Sequence, residues 1–363
     1  MSRLQELFDQ HGQSPWLDNL RRGWISSGEL QVLIDRGVRG ITSNPSIFQK
    51  AMTGTDDYDE QLSALAGAGR SIEDSYWELV THDIVDALDL LRPVHEATHG
   101  LDGFVSVEVD PSLAADTGGT EAAARHLSRI IDRPNLFVKI PATTEGIPAI
   151  RTMIGEGCSV NVTLIFSLDR YEDVMEAYIA GLEAHEGDLS GTSSVASFFI
   201  SRTDTEIDRR LDAVATPEAL ALRGRAAVAQ GQVAYDLFRR AFSGPRWEAL
   251  VARGARVQRP LWASTSTKNP AYPDTLYVDA LIGPDTVNTL PEATLEAFDE
   301  HGTLARTVDA DPEGARATLA AVQAAGIDLD DVSRVLEEEG VGAFVKSFDE
   351  LLDTLGQKAE TLT

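Results

Sequence analysis

Residues 105–110 have the sequence VSVEVD, in which apolar and polar side chains alternate strictly. Successive side chains of a β-strand point to opposite faces, so the valines share one face, whereas Ser106, Glu108 and Asp110 share the other. In a barrel of parallel strands the valines would face an outer layer of helices and the polar side chains would face the interior. Barrel enzymes place their catalytic groups at the C-terminal ends of such strands.

Two further stretches show the same alternation. In residues 159–164 (SVNVTL) the polar side chains include Asn161 and Thr163, and in residues 137–141 (FVKIP) Lys139 lies on the face opposite its apolar neighbours. An ammonium group inside a barrel is costly to remove from water unless it is paired or deprotonated. We therefore expect Lys139 to have a partner or a chemical role.

Short apolar runs alternate with longer amphipathic stretches along the chain, a pattern typical of βα units. The candidate strands are Trp16–Leu20, Val38–Thr42, Phe104–Val109, Leu136–Ile140, Val160–Phe166, Ser194–Ile200, Pro260–Ser264 and Thr286–Leu290. The candidate helices are Ile72–Leu91, Glu121–Ile131, Leu168–Glu183, Pro217–Phe242 and Pro312–Ala325. Eight alternations predict a (β/α)₈ barrel with added helices at the N-terminal and C-terminal regions.

Two other architectures fit part of this pattern. A doubly wound open sheet also alternates strands with helices, and an antiparallel sheet with one face in water also alternates polar with apolar residues. Helical segments rather than tight hairpins separate the runs, which favours parallel strands. We predict a single domain over 1–363, with a core of about 16–300 and a helical C-terminal region of about 309–363.

Composition restricts the function classes. The 363 residues carry a formal net charge of −27, which disfavours nucleic acid and anionic membranes as partners. The polar N-terminal segment lacks a signal-peptide core, no apolar run approaches the length of a membrane span, and Cys158 is the single cysteine. We expect a cytoplasmic monomer or homodimer, and we assign Cys158 no chemistry.

A lysine among carboxylates and amides suits one reaction type. Burial lowers the pKa of a lysine, and the free amine attacks a carbonyl carbon to give an iminium, which accepts electrons when the neighbouring carbon–carbon bond breaks. Glu108 and Asp18 are the inward carboxylates available for the proton transfers. The candidates for holding sugar hydroxyls are Thr42, Asn44, Asn161, Thr163 and Ser197.

Several ordered motifs resemble those of transaldolases of the longer bacterial type. They are Gly40–Phe48 (GITSNPSIF), Val138–Thr143 (VKIPAT), Asn161–Ser167 (NVTLIFS), Trp262–Pro270 (WASTSTKNP) and Asp285–Pro291 (DTVNTLP), and the resemblance extends from about Asp18 to Thr294. The resemblance implies a (β/α)₈ barrel that acts on phosphorylated sugars through a lysine Schiff base. It implies neither a cofactor nor a metal.

The resemblance also implies a role for individual residues. Lys139 would be the nucleophile, Glu108 the acid and base acting through a water held by Thr163, and Asp18 the base for the C4 hydroxyl. The residues expected to bind substrate are Thr42, Asn44, Asn161, Ser197, Phe199, Arg202, Ser264 and Lys268. Many relatives have an arginine where this chain has Ser266, so we expect Lys268 to supply that charge, without the bidentate geometry of arginine.

Two other functions remain open at this point. A related aldolase would release free dihydroxyacetone, although the sugar-phosphate aldolases of this superfamily have glutamine at the position of Glu108, and Phe199 also fits the transferase better. A barrel that only binds sugar phosphates would lack the lysine or a carboxylate, and here Lys139, Glu108 and Asp18 are all present.

Overall fold

The computed structural model describes residues 2–362 and contains a closed barrel of eight parallel strands in sequence order. The strands are β1 (Gln13–Leu17), β2 (Gly40–Ile41), β3 (Phe104–Glu108), β4 (Leu136–Pro141), β5 (Val160–Ile165), β6 (Ser194–Phe199), β7 (Arg259–Ala263) and β8 (Thr286–Leu290). Pairing of β8 with β1 closes the barrel. This topology confirms the predicted (β/α)₈ barrel.

Helices surround the strands, and a 3₁₀-helix (Pro111–Ala115) follows β3. The helices are α1 (Arg3–His11), α2 (Arg22–Ser27), α3 (Glu29–Arg36), α4 (Pro45–Met52), α5 (Asp59–Gly67), α6 (Ile72–Ala97), α7 (Thr117–Ile131), α8 (Gly146–Gly155), α9 (Leu168–Ala184), α10 (Ser201–Val214), α11 (Pro217–Leu220), α12 (Ala226–Ala241), α13 (Gly244–Val251), α14 (Leu276–Asp279), α15 (Glu292–His301), α16 (Pro312–Ala324) and α17 (Leu329–Leu362). None of them is long and apolar enough to cross a membrane within residues 2–362.

The first strand begins earlier than predicted. The prediction of Trp16–Leu20 was wrong because Gln13 and Ser14 are polar but fully buried, and distant groups accept hydrogen bonds from their side chains. Gln13 Nε2 donates to the Leu281 carbonyl at 2.7 Å, and Ser14 Oγ donates to Asp102 Oδ2 at 2.7 Å. As a consequence, Asp18 comes directly after the end of β1.

The predicted helix Pro217–Phe242 is two helices, α11 and α12, separated by residues 221–225. Gly224 in this connection has a φ of +70°, a conformation that glycine adopts without steric cost. Its N–H donates to Asp208 Oδ1 at 2.9 Å, and a Cβ placed on it would lie 2.8 Å from the ring of Tyr272. The chain therefore turns here, although the apolar spacing continues.

The register between neighbouring strands determines which side chains lie at the same height inside the barrel. Glu108 pairs with Lys139 across β3 and β4, and Lys139 pairs with Asn161 across β4 and β5, so three polar side chains meet in one layer. Asp110, predicted to face inward as well, lies beyond the end of β3. That prediction was wrong because its carboxylate accepts a hydrogen bond from the Ser112 N–H at 2.8 Å and caps the 3₁₀-helix.

The last helix, α17, lies against the barrel and packs on α4, α10, α6 and the 3₁₀-helix. Ser333 Oγ donates to the carbonyl of Phe166, just after β5, at 3.1 Å, and the hydroxyls of Ser347 and Ser46 lie 2.7 Å apart. Residues 309–363 were predicted to be a helical region. Two helices, α16 and α17, account for most of the described part of it.

Candidate active site

A cavity lies at the C-terminal end of the barrel. Its lining comes from both catalytic and substrate-binding candidates, and from residues that were not predicted: Asp18, Thr42, Asn44, Ser46, Ile47, Lys50, Lys139, Thr163, Ser197, Phe199, Arg202, Ala263, Ser264, Ser266, Lys268, Thr289, Pro291 and Phe344. The strand ends and the loops after them supply most of this lining, as expected for a barrel enzyme.

Lys139 and Glu108 form a buried ion pair behind the cavity. Lys139 Nζ lies 3.3 Å from Glu108 Oε2 and donates to the Ser43 carbonyl at 3.3 Å. Their exposed fractions are only 4% and 6%, and Glu108 does not line the cavity itself. Burial raises the pKa of Glu108, the charge of Lys139 opposes this, and Asp18 adds to it. A carboxyl group with a raised pKa is suited to both donating and accepting a proton.

Asp18 also lines the cavity, at the end of a short chain of hydroxyls. Thr42 Oγ1 donates to Asp18 Oδ1 at 2.7 Å, so the contact of 2.6 Å between the hydroxyls of Thr42 and Thr289 has Thr289 as its donor. Burial raises the pKa of Asp18, whereas the hydrogen bond from Thr42 and the charge of Lys139 lower it.

Three predicted polar residues differ in how they reach the cavity. Ser197 Oγ donates to Asn161 Oδ1 at 2.7 Å, and Asn161 Nδ2 donates to Ser106 Oγ at 2.9 Å. Asn161 is fully buried and lies outside the cavity lining, whereas Ser197 is part of it. Thr163 lines the cavity, and its buried hydroxyl has no hydrogen-bond partner within residues 2–362, which leaves it free for a water or substrate.

Asn44 contributes both to a helix cap and to the cavity lining. Its Oδ1 accepts from the Ile47 N–H at 3.0 Å and so caps the N-terminus of α4, while the residue also lines the cavity. The motif GITSNPSIF therefore builds a helix start beside the lysine. Proline at the first helical position fits this geometry.

The far end of the cavity is positively charged. Arg202, Lys268 and Lys50 all line it, and across the described chain none of them forms a salt bridge within 4.0 Å. Burial, together with the nearby charges of Arg202 and Lys50, lowers the pKa of Lys268. Three unpaired cations in a molecule of net charge −27 indicate a site for an anionic group.

The hydroxyls and ring around these cations are ordered by local contacts. Ser264 has a φ of +55°, and its hydroxyl lies 2.8 Å from that of Ser201 at the start of α10. The guanidinium of Arg202 lies 5.2 Å from the ring centroid of Phe199. Lys268 Nζ donates to Ser266 Oγ at 2.8 Å, so the lysine expected to replace an arginine does lie beside that serine.

Sequence reasoning missed three notable lining residues. Lys50 follows Ser46 by one helical turn on α4, and this i, i+4 spacing could have identified it. Thr289 lies near the end of β8, where strand alternation gives a weaker signal. Phe344 comes from α17, and no local pattern connects it with the barrel. No group of three or more His, Cys, Asp or Glu suited to a metal occurs within the described chain.

Comparison with known proteins covers almost the whole chain. The sequence model of the family described as Transaldolase/Fructose-6-phosphate aldolase matches residues 15–355. A protein named Transaldolase from Thermobifida fusca (strain YX) is 54% identical over 362 residues, which cover 98% of each chain. Transaldolase from Parafrankia sp. (strain EAN1pec) is 53% identical over 96% of this chain and 95% of the relative. Transaldolase 2 from Streptomyces avermitilis is 52% identical over 100% of this chain and 99% of the relative. The matched range includes every residue that lines the cavity.

Proposed function

The chain belongs to the Transaldolase/Fructose-6-phosphate aldolase family and functions as a transaldolase, a transferase; we propose that its reaction runs through a Schiff base on Lys139. It transfers a dihydroxyacetone unit from sedoheptulose 7-phosphate or fructose 6-phosphate to glyceraldehyde 3-phosphate or erythrose 4-phosphate, a reaction of the non-oxidative pentose phosphate pathway. The observation that carries the proposed mechanism is the buried pair of Lys139 and Glu108, beside a cavity whose far end has three unpaired cations.

Imine formation begins with the amine of Lys139. The amine adds to C2 of the ketose, and the carbinolamine then loses its hydroxyl as water to give the iminium. Glu108 lies 3.3 Å from Nζ and has a raised pKa, which suits it to donate the proton that this step needs and to accept it in reverse. The free hydroxyl of Thr163 would hold the water that carries the proton.

Cleavage requires a base near C4. Asp18 accepts the proton of the C4 hydroxyl, the electron pair of the C3–C4 bond moves into the iminium, and the aldose phosphate leaves as an aldehyde. The enamine of dihydroxyacetone stays on Lys139. When the acceptor binds, C3 attacks its aldehyde carbon and the new oxygen takes the proton back from Asp18. The hydrogen bond from Thr42 fixes the orientation of the Asp18 carboxylate for both directions.

The substrate lies between these groups and the cationic end. Arg202, Ser264 and Lys268 would bind the phosphate, and Lys50 adds a fourth group to this set. Asn44 and Asn161 would bind hydroxyls of the three-carbon unit, with Ser197 near its C1 hydroxyl; Asn44 and Ser197 line the cavity, and Ser197 donates a hydrogen bond to Asn161. Phe199 packs beside Arg202 and shapes the wall between the two ends.

The two other functions considered from the sequence have less support. Glu108, rather than glutamine, pairs with the lysine, and the compared relatives are named Transaldolase. The lysine and both carboxylates of a working site also line or adjoin one cavity, which argues against a barrel that only binds sugars.

The experiment that tests the mechanism is borohydride reduction in the presence of fructose 6-phosphate, followed by peptide mapping. We expect an adduct of dihydroxyacetone size on Lys139 and none in Lys139→Ala. Addition of erythrose 4-phosphate should yield sedoheptulose 7-phosphate. A folded protein whose Lys139 remains unmodified would exclude the Schiff base.

We also propose that the protein is cytoplasmic, since its single cysteine is free and buried, and that it is a monomer or homodimer. Light scattering coupled to gel filtration measures the mass directly. A trimer or larger assembly would contradict this proposal.

A further inference from the structure

Helix α17 brings a close contact to the end of β5. A Cβ placed on Gly340 would lie 3.0 Å from Leu164 Cδ2 and 3.5 Å from the ring of Phe166, so only a residue without a side chain fits here without displacement. Leu164 follows Thr163 in the strand, and its φ of +59° marks a local irregularity in the ladder. The helix therefore approaches the strand beside the reaction centre.

One turn after Gly340, Phe344 lies on the same face of α17. Its side chain is 4% exposed and lines the cavity, and its ring centroid lies 5.5 Å from Lys139 Nζ. A cation at this distance from an aromatic ring is attracted to its face. An apolar ring beside the reacting nitrogen also occupies volume that water would otherwise fill.

We propose that Phe344 determines the choice between transfer and hydrolysis, by keeping bulk water away from the dihydroxyacetone unit held on Lys139. This inference rests on the proposed Schiff base. The inference gives a residue outside the barrel strands control over whether the bound unit is transferred or hydrolysed. Its helix is held by Ser333, which donates to the Phe166 carbonyl after β5, and by Ser347, which contacts Ser46 on α4.

The competing reaction consumes one water. The enamine carbon C3 first takes a proton, which gives the iminium of dihydroxyacetone. Water then adds to C2, and the electron pair of the C=N double bond moves to Nζ. After the nitrogen gains a proton and the new hydroxyl loses one, the C2–Nζ bond breaks with its electrons going to nitrogen, so that free dihydroxyacetone and the lysine amine are produced. Release of the normal product also hydrolyses an iminium and needs one water. The inference therefore concerns water beyond that one, which would reach the dihydroxyacetone unit before the acceptor binds.

The test compares two rates in the full-length enzyme with fructose 6-phosphate as donor. One is the release of dihydroxyacetone without acceptor, and the other is the formation of sedoheptulose 7-phosphate with erythrose 4-phosphate. In Phe344→Ala we expect the ratio of release to transfer to rise about tenfold, which corresponds to a change of about 1.4 kcal/mol between the two barriers. Phe344→Leu keeps an apolar side chain and should stay near the wild-type ratio.

Phe348→Ala is the matched control. Phe348 lies one turn further along α17 and is 5% exposed, but it packs on Tyr76 at 5.1 Å between ring centroids and does not line the cavity. An unchanged ratio in Phe344→Ala would overturn the inference, and so would an equal rise in Phe348→Ala, because the effect would then come from loosening the helix. If Phe344→Ala does not fold, Phe344→Thr, whose side chain is smaller and polar, is measured with the same expectations.

Borohydride trapping separates this inference from the mechanism beneath it. If wild-type Lys139 forms no adduct, the proposed Schiff base is wrong. If both wild type and Phe344→Ala form the adduct and their ratios agree, only the role of Phe344 is wrong.

Discussion

Thr42 Oγ1 donates a hydrogen bond of 2.7 Å to Asp18 Oδ1, and this bond lowers the pKa of a carboxyl group whose burial raises it. The charges of Lys139, Arg202 and Lys268 lower the same pKa. The loop after β2, which carries Thr42, thus contributes to the pH at which the proposed base is ionised. The contact connects the motif GITSNPSIF with the end of β1. The motif therefore affects the ionisation of Asp18 as well as forming the start of α4.

The first prediction removes this bond. Thr42→Val raises the pKa of Asp18, so the acid limb of the profile of kcat/KM against pH should move to higher pH, because the base must be ionised to act. Thr289→Val is the control, since Thr289 donates to Thr42 and does not touch Asp18. An acid limb that stays in place in Thr42→Val would argue against Asp18 as the base.

The second prediction concerns the phosphate. Lys268→Gln and Lys50→Gln each remove one charge from the cationic end of the cavity, and each should raise KM for fructose 6-phosphate about tenfold, as expected for a lost charge-assisted hydrogen bond. Trapping of unphosphorylated fructose on Lys139 should not change. Lys346→Gln, at a site with 76% side-chain exposure on α17, is the matched control. Equal losses with both sugars would contradict a phosphate role.

The third prediction addresses the N-terminal end of the barrel. Asp102 is fully buried and accepts from Arg259 at 3.0 Å and Arg39 at 2.8 Å. Burial alone would raise its pKa, but the two guanidinium groups lower it below the usual range. Asp102→Asn leaves two cations without their counter-charge and should reduce the free energy of unfolding by about 3–5 kcal/mol.

Denaturant titration measures this loss. Glu292→Gln breaks an exposed pair with Arg21 and should cost less than about 1 kcal/mol. Activity per folded molecule should be unchanged in Asp102→Asn, because the site lies at the other end of the barrel. A loss no larger than that of Glu292→Gln would contradict the role assigned to the buried network.

The contact between the two residues of the proposed catalytic pair could be predicted because it depends on local alternation. Strand periodicity alone places Glu108 and Lys139 on inner faces, and adjacent parallel strands then bring them together, as the 3.3 Å contact shows. The same argument found Thr163. These positions needed only that neighbouring strands be parallel and in sequence order.

Residues whose position depends on distant partners could not be predicted. Gln13 and Ser14 are polar, so the sequence pattern does not include them in the first strand. Their hydrogen-bond partners, the Leu281 carbonyl and Asp102, are far away in sequence. Phe344 was missed for the same reason. The alternation that turns Asn161 inward also does not predict its depth, and the structure buries this residue fully, outside the cavity lining.

The last prediction uses a buried carboxyl group outside the site. Asp204 on α10 is 1% exposed, and burial raises its pKa to about 6, although the Ala227 N–H donates to it at 2.8 Å. Between pH 4 and 6 the unfolded chain has lost this proton while the folded chain still holds it, so stability falls as pH rises through that window. The asparagine of Asp204→Asn cannot ionise, so the stability of this variant does not fall for this reason as pH rises. The free energy of unfolding of the variant, relative to wild type, should therefore increase by about 2 kcal/mol from pH 4 to pH 7 in urea titrations. A difference that stays constant with pH would show that Asp204 is ionised in the folded protein throughout, which its burial without a paired cation makes costly.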